Sequence, residues 1–301
     1  MRIICLVAVL LAAMPLRADE GAAFLKLGTG ARATALGGAY TALGDDASSI
    51  GWNPAGLARL EKREAAAAHA ELFERTRYDF AAYAQPTAKG TFAAGLLYLS
   101  HGSFDGRDGL GRQTGEVTAA DTAVSFTYAQ KNEIADYGVS VKLISSHIAE
   151  AEAQTAALDF GFKRKMSELK GGKIFAAAAV RHLNIGPGLH YAWAKTDLPL
   201  QLAAGGAWAG EKAALSFDLI NGPNGSGTDA AFGGEYRVQK SFAVRAGYGT
   251  AGLVAGGSGF DTLRGLSFGL GLKSERVSFD YAVTPAGDLG QTHRFGVGVR
   301  F

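Results

Sequence analysis

The residue types that could carry catalysis or bind a metal ion are scattered along this chain without the spacing that such chemistry requires. The six histidines show no zinc-ligand spacing, the single cysteine is Cys5, and no Gly-x-Ser-x-Gly nucleophile elbow occurs. The loop 102–108 resembles a cation-binding loop only loosely, because it lacks the distal glutamate of an EF-hand. We therefore expect no catalytic residues, no metal site and no cofactor.

One glycine pattern matches the dinucleotide-binding sequence G-x-G-x-x-G. It consists of Gly247, Gly249 and Gly252. A glycine-rich segment follows the pattern where a nucleotide-binding helix would have to begin, and no strand–helix–strand unit surrounds it. We interpret these glycines as structural and expect no nucleotide to bind.

The first eighteen residues have the layout of a secretory signal peptide. Arg2 supplies the positive end, residues 3–13 form an apolar run, and Ala18 is the small residue that precedes cleavage. The alternative is a buried N-terminal strand or helix. Cleavage would remove Cys5, Arg2 and Arg17, so the 30 basic residues become 30 − 2 = 28 against 28 acidic ones. A neutral, cysteine-free exported chain suits a bacterial envelope and argues against nucleic-acid binding.

Beyond about residue 75, apolar and polar residues alternate with a period of two. In the segment 277–283, for example, Val277, Phe279, Tyr281 and Val283 are separated by small or polar residues. Such alternation predicts strands with one apolar and one polar face. We count about twelve strands of this kind besides the two ends of the chain.

The charged residues indicate which face of these strands meets the membrane. They avoid the apolar side of each strand, and in a membrane-spanning barrel a charge facing lipid costs about 2–4 kcal/mol at mid-bilayer. We therefore predict a transmembrane antiparallel β-barrel whose charges face the lumen. The lumen-facing charges are Lys142, Asp159, Lys163, Arg181, Asp218, Arg245, Lys273, Asp280, Arg294 and Arg300.

The predicted connections between strands alternate in length. Short ones, such as 167–171, alternate with long ones, such as 101–118, 147–154 and 183–197. Outer-membrane barrels have short periplasmic turns and long outer loops. With both termini in the periplasm the strand number must be even, and about fourteen strands fit the length.

Residues 19–60 do not alternate, and we expect them to fill the lumen of a barrel formed by residues 61–301. The run 30–57, GARATALGGAYTALGDDASSIGWNPAGL, resembles the N-terminal signature of the PorV/PorQ family, which is similar to the FadL fatty-acid transporters. The resemblance implies a fourteen-stranded barrel with an N-terminal hatch. The hatch-motif residues it implies are Arg32, Gly37, Gly38, Asp45, Asp46, Asn53, Pro54, Ala55 and Gly56.

Two further features follow from this class of protein. The last strand alternates and ends on a terminal aromatic residue, which resembles the insertion signal of outer-membrane barrels: Phe295, Val297, Val299 and Phe301. We therefore expect the barrel-assembly machinery and outer-membrane lipid as partners. In the hatch, Arg32 and the carboxylates of Asp45 and Asp46 are expected to pair with each other or with lumen-facing charges of opposite sign such as Asp280 or Arg245, because an unpaired buried charge is costly. The alternative is that Asp45 and Asp46 lie in a solvated loop.

Two functions remain open. The resemblance favours a non-enzymatic partner role in protein export or surface attachment, as in type IX secretion, with secretion proteins as partners. The alternative is a FadL-like conduit for hydrophobic small molecules such as fatty acids. An apolar path from the outer loops into the lumen would favour transport; the polar character of the predicted lumen counts against it. A hydrolase site at the barrel rim would need only a few residues and also stays open.

Overall fold

The computed structural model describes residues 20–73, 75–191, 194–224, 227–250, 265–285 and 290–301. The predicted signal peptide, residues 1–18, lies outside the described residues, as do Gly252 and most of the segment that follows it.

Within the described residues, fourteen antiparallel strands close into a barrel, and two short strands pair with each other outside it. Consecutive strands are neighbours except that β7 pairs with β10, and β1 pairs with β16 to close the wall. This confirms the predicted fold class and strand number. The barrel strands are β1 (Glu64–Glu71), β2 (Arg77–Thr87), β3 (Gly90–Arg107), β4 (Gln113–Lys131), β5 (Asp136–Ile148), β6 (Ala151–Leu169), β7 (Gly172–Asn184), β10 (Gln201–Ala209), β11 (Ala213–Gly222), β12 (Gly227–Gln239), β13 (Phe242–Gly249), β14 (Leu266–Lys273), β15 (Val277–Pro285) and β16 (Gln291–Arg300). The outlying pair is β8 (Leu189–His190) and β9 (Lys195–Thr196).

The alternation of the sequence sorts side chains between the two faces of this wall. In β5, Val141 and Leu143 are exposed on the outside, whereas Ser140, Lys142 and Ile144 are buried on the inside. The outward apolar face is what a bilayer requires, because lipid and not water covers it. No helix within the described residues is long and apolar enough to cross a membrane.

Several strands are longer than the sequence suggested. The predicted outer loops 101–118 and 147–154 are mostly extended: β3 runs to Arg107 before β4 begins at Gln113, and β5 and β6 are joined across residues 149–150. Backbone pairing continues past the apolar band, because polar strand residues hydrogen-bond as well as apolar ones do. Hydropathy therefore marks the membrane-embedded part of a strand and not its end.

The segment 20–60 lies inside the barrel and contains four short helices. They are η1 (Ala23–Leu27), α1 (Ala31–Ala35), η2 (Ala47–Gly51) and η3 (Pro54–Arg59), of which all but α1 are 3₁₀ helices. Arg59 precedes β1, which starts at the end of the barrel that carries the short turns. We call residues 20–60 the hatch.

The N-terminal end of the hatch reaches the opposite, outer end of the barrel. The backbone N–H of Gly21 donates to the carbonyl of Asp197 at 2.8 Å, and Asp197 lies in the connection between β7 and β10. The expectation that both ends of the mature chain lie at the periplasmic end is therefore wrong for the first described residues. The even strand number follows instead from the closure of the barrel. The first strand β1 and the last strand β16 pair antiparallel, which an all-antiparallel closed barrel allows only with an even number of strands.

Candidate functional site: the plugged lumen

Arg32 of the hatch binds the barrel wall through a buried ion-pair network. Its Nε donates to Glu235 Oε2 at 2.8 Å, and the same carboxylate accepts from Arg245 Nε at 2.8 Å. Arg245 also donates to Asp280 at 2.6 Å. The Glu235 side chain is only 3% exposed, so both guanidinium groups are neutralised away from bulk water. The network joins α1 to three wall strands.

The two acidic residues of the hatch signature take different positions. Asp45 pairs with Arg32, yet its side chain is 59% exposed, so the paired and solvated interpretations each describe part of its environment. Asp46 caps η2 by accepting from Ser48 N at 3.0 Å. Burial raises the pKa of Tyr40 well above its usual value, so its hydroxyl stays protonated and donates to Asp46 at 2.6 Å.

The Asn-Pro-Ala-Gly run, residues 53–56, packs closely against the barrel wall. The Asn53 amide donates to the carbonyls of Thr41 at 2.8 Å and Phe162 at 3.1 Å, and its oxygen accepts from Ala55 N at 3.1 Å. Pro54 and Ala55 lie against the wall at Gly138 of β5 and Gly161 of β6. The contact is so close that neither glycine could be replaced by a residue with a side chain. Gly56 fits closely beside Ser49 and Gly44.

Gly37 and Gly38 let the chain turn sharply after α1. Both have positive φ, 67° and 83°, a region that favours glycine. A Cβ atom on Gly37 would lie 2.5 Å from the backbone N of Tyr248 in β13, and one on Gly247 would collide with the backbone of Leu36 and Gly37. The glycines of the G-x-G pattern thus serve backbone contact between hatch and wall.

A second charged cluster lies deeper in the lumen, around β5, β6 and β7. Lys142 forms an ion pair with Asp159 at 2.5 Å, and Arg181 stacks over the Trp52 ring at 5.6 Å. Asp218 accepts from the backbone N–H groups of Tyr40 and Thr41 at 2.9 and 2.8 Å, so it holds the hatch as well.

The remaining predicted positions also face where their strand parity puts them. Lys163 donates to the carbonyl of Gly44, and Arg294 donates to that of Gly28 at 2.8 Å. Lys273 lines a cavity of about 110 Å³ at the periplasmic end, beside the Arg32 network. The alternating residues of the last strand point outward: Phe295, Val297 and Phe301 are 57%, 36% and 67% exposed.

An apolar cluster lies in the outer half of the lumen. Phe24 and Leu25 of η1 are buried together with strand residues and with residues of the connection between β7 and β10. We call this set the outer apolar cluster: Phe24, Leu25, Tyr78, Leu97, Leu99, Ile144, Leu189 and Leu198. A cavity of about 20 Å³ lies directly beneath it, against Leu25, Leu97, Lys142 and His182. Space of that size holds about one water molecule.

Sequence reasoning missed four residues of this site. Glu235 lies on the polar side of β12, and its parity with Gly233 and Arg237 was the signal that could have found it. Phe24 and Leu25 carry no signal, because nothing local shows that η1 reaches the outer end. His182 is hidden by a bulge in β7 described below. Within the described residues, no group of three or more His, Cys, Asp or Glu side chains could hold a metal ion.

Solved structures share this architecture. The toluene transporter TodX of Pseudomonas putida matches with a TM-score of 0.63 at 11% identity, covering 96% of this chain and 98% of that one. The monoaromatic hydrocarbon channel CymD gives 0.62 at 12% identity, with 91% and 98% covered. The toluene transporter TbuX of Ralstonia pickettii gives 0.59 at 14% identity, with 91% and 98% covered.

These likenesses show the fold of the barrel; the three neighbours themselves are transporters or channels. No curated protein matches the chain at a significant level.

The family model of an uncharacterised protein family, UPF0164, matches residues 16–167, just over half of the chain. The matched range includes the segment 30–57, on which the resemblance to PorV/PorQ proteins rests. It also includes the complete hatch and the first five strands. The chain therefore belongs to the UPF0164 family.

Proposed function

We propose that this barrel passes small hydrophobic molecules across the outer membrane. The observation that carries the proposal is the outer apolar cluster, which runs from Leu189 and Leu198 in the outer connection to Leu97 and Ile144 inside the lumen. This is the apolar continuity by which a conduit differs from a barrel that only binds proteins. Strand parity alone predicted a polar lumen; the outer apolar cluster adds to it apolar side chains of the hatch and of the outer connection.

The solved neighbours support the same function. TodX and TbuX are toluene transporters and CymD is a monoaromatic hydrocarbon channel, and all three share the fold over nearly their whole length. The partner role in protein export rests on the resemblance of the segment 30–57 alone. No contact among the described residues adds to it, so transport is the function that we prefer.

Passage requires part of the hatch to move, because Phe24 and Leu25 fill the apolar cluster. The segment 20–26 is the part that would have to move. Its helix η1 has five residues and no side-chain cap, and Ala22 before it has φ of 51°, which is unfavourable for a residue with a side chain. From Gly28 onward the hatch is anchored by Tyr78, Arg294 and the charged network. An incoming ligand would replace the two apolar side chains.

A reversible disulfide tests this proposal. A Cβ atom on Gly21 would lie 3.0 Å from Thr196 Cβ, so a shift of about half an ångström would give disulfide geometry in Gly21→Cys/Thr196→Cys. We expect the oxidised variant to lower the uptake of radiolabelled toluene and of acetophenone by expressing cells to the empty-vector level. A reductant should restore uptake, and Thr196→Cys alone should behave as wild type under both conditions.

Equal uptake in the oxidised and reduced states would contradict the movement of segment 20–26. Wild-type uptake at the empty-vector level would contradict transport itself. Purification of the barrel from gently solubilised membranes would then be the informative experiment, because co-purifying secretion proteins would favour the partner role.

A further inference from the structure

A bulge in β7 turns two consecutive side chains into the lumen. Leu158 pairs with Leu183 and Phe160 with Val180, so Asp159 alone faces both Arg181 and His182. His182 has φ of 60°, and its backbone N–H donates to Asp159 at 2.8 Å. Bulges re-aim side chains in this way, and they recur next to functional sites. Without the bulge, His182 would face lipid.

The contacts of the His182 ring fix which nitrogen carries the proton. Nδ1 lies 3.2 Å from Nζ of Lys142, and an ammonium group can only donate, so Nδ1 accepts. The proton of the neutral ring is then on Nε2. This N–H has no acceptor among the described residues, although the side chain is 1% exposed. An unsatisfied buried donor is costly, so the position favours any oxygen that can reach it.

The donor lies at the floor of the outer apolar cluster. The polar residues that bound the 20 Å³ cavity beneath Leu25 are His182, Lys142, Ser125 and Thr29, and its other walls are apolar or glycine. Displacement of Leu25 would therefore open the cluster onto the cavity that His182 lines. The charges around this floor, Lys142 and Arg181 against Asp159 and Asp218, cancel, which favours a neutral oxygen over a carboxylate.

We propose that the ligand of this barrel is an apolar molecule carrying one neutral hydrogen-bond acceptor, such as a ketone, which the Nε2–H of His182 binds. This inference rests on the proposed transport function and names its substrate class. It separates this chain from the toluene transporters TodX and TbuX, since toluene has no oxygen. His182 acts as a specificity-determining residue.

Acetophenone and ethylbenzene form a matched pair of probes, because acetophenone has a carbonyl group where ethylbenzene has a methylene group. We would measure both dissociation constants calorimetrically in detergent and take the ethylbenzene-to-acetophenone ratio. Loss of one buried hydrogen bond should lower this ratio about tenfold in His182→Phe. The ratio should stay at the wild-type value in His147→Phe, a matched control, because His147 lies near the outer end of β5 with a half-exposed side chain.

A second measurement needs only the wild type. The infrared carbonyl band of bound acetophenone should be shifted to lower frequency than in heptane, as a hydrogen-bonded carbonyl requires. An unshifted band, or the same ratio in wild type and His182→Phe, would overturn the inference while leaving transport intact. Failure of the wild type to bind either probe would instead overturn the transport proposal.

Discussion

At the scale of single residues, some ion pairs of this protein are buried and join the hatch to the wall, whereas others are exposed to water. Glu235 belongs to the first kind, because it accepts from Arg32 of the hatch and Arg245 of the wall in a site closed to water. Glu168 belongs to the second, since its pair with Lys165 lies at an exposed turn. Burial decides which pair matters, because water screens the exposed one.

Replacement of Glu235 by glutamine should leave two buried guanidinium groups without their shared carboxylate. We expect a loss of about 3–5 kcal/mol in the free energy of unfolding, the usual cost of removing one partner of a buried pair. Urea unfolding in vesicles, followed by heat-modifiable migration on gels, measures it. Glu168→Gln is the control and should not shift the midpoint; equal shifts in the two variants would contradict the role of the network.

At the scale of elements, hatch and wall meet by backbone contact at a few glycines. α1 ends at Ala35, and the turn through Gly37 touches β13 so closely that Gly247 can carry no side chain. A neighbouring glycine in β12, Gly234, has its nearest atoms at 3.6 Å and would accept one. The difference follows from parity: Gly247 faces the lumen, where the hatch is, and Gly234 faces outward.

Gly247→Ala should therefore push the turn after α1 away from β13 and loosen the hatch. We expect more conductance to ions and small sugars in planar bilayers and swelling assays, with the barrel still folded. Gly234→Ala should conduct like the wild type. If Gly247→Ala conducts no more than the wild type, the hatch can shift without opening a path through the barrel.

At the scale of the whole molecule, the outward face of the barrel wall is apolar and suits contact with lipid. Large apolar side chains, such as Phe126 at 56% and Leu143 at 53% exposed, cover the outside of the barrel, and charged side chains such as Lys142 and Glu235 point inward. We call these outward apolar side chains the apolar belt. The arrangement is stable only in a membrane or detergent, because the belt would drive aggregation in water.

A charge placed on the belt should reveal the position of the bilayer. Leu143→Arg lies near the middle of β5, and we expect it to cost about 2–4 kcal/mol of unfolding free energy in vesicles. Gln130→Arg, at the periplasmic end of β4, should cost about 0–1 kcal/mol. If the two substitutions cost the same, the assignment of the membrane-embedded band would be wrong.

The sequence by itself determined the barrel, because alternation is a local property that a strand carries wherever it pairs. Lys142 and Leu143, adjacent in β5, could be assigned to opposite faces from parity alone. Only the tertiary structure decided what fills the lumen. Arg32 meets Glu235 across 203 positions of sequence, and η1 reaches the outer end through contacts with Leu189 and Leu198. The bulge in β7 reverses the parity of His182 and so turns its side chain inward. These contacts depend on how the wall closes around the hatch, and no local sequence pattern predicts them.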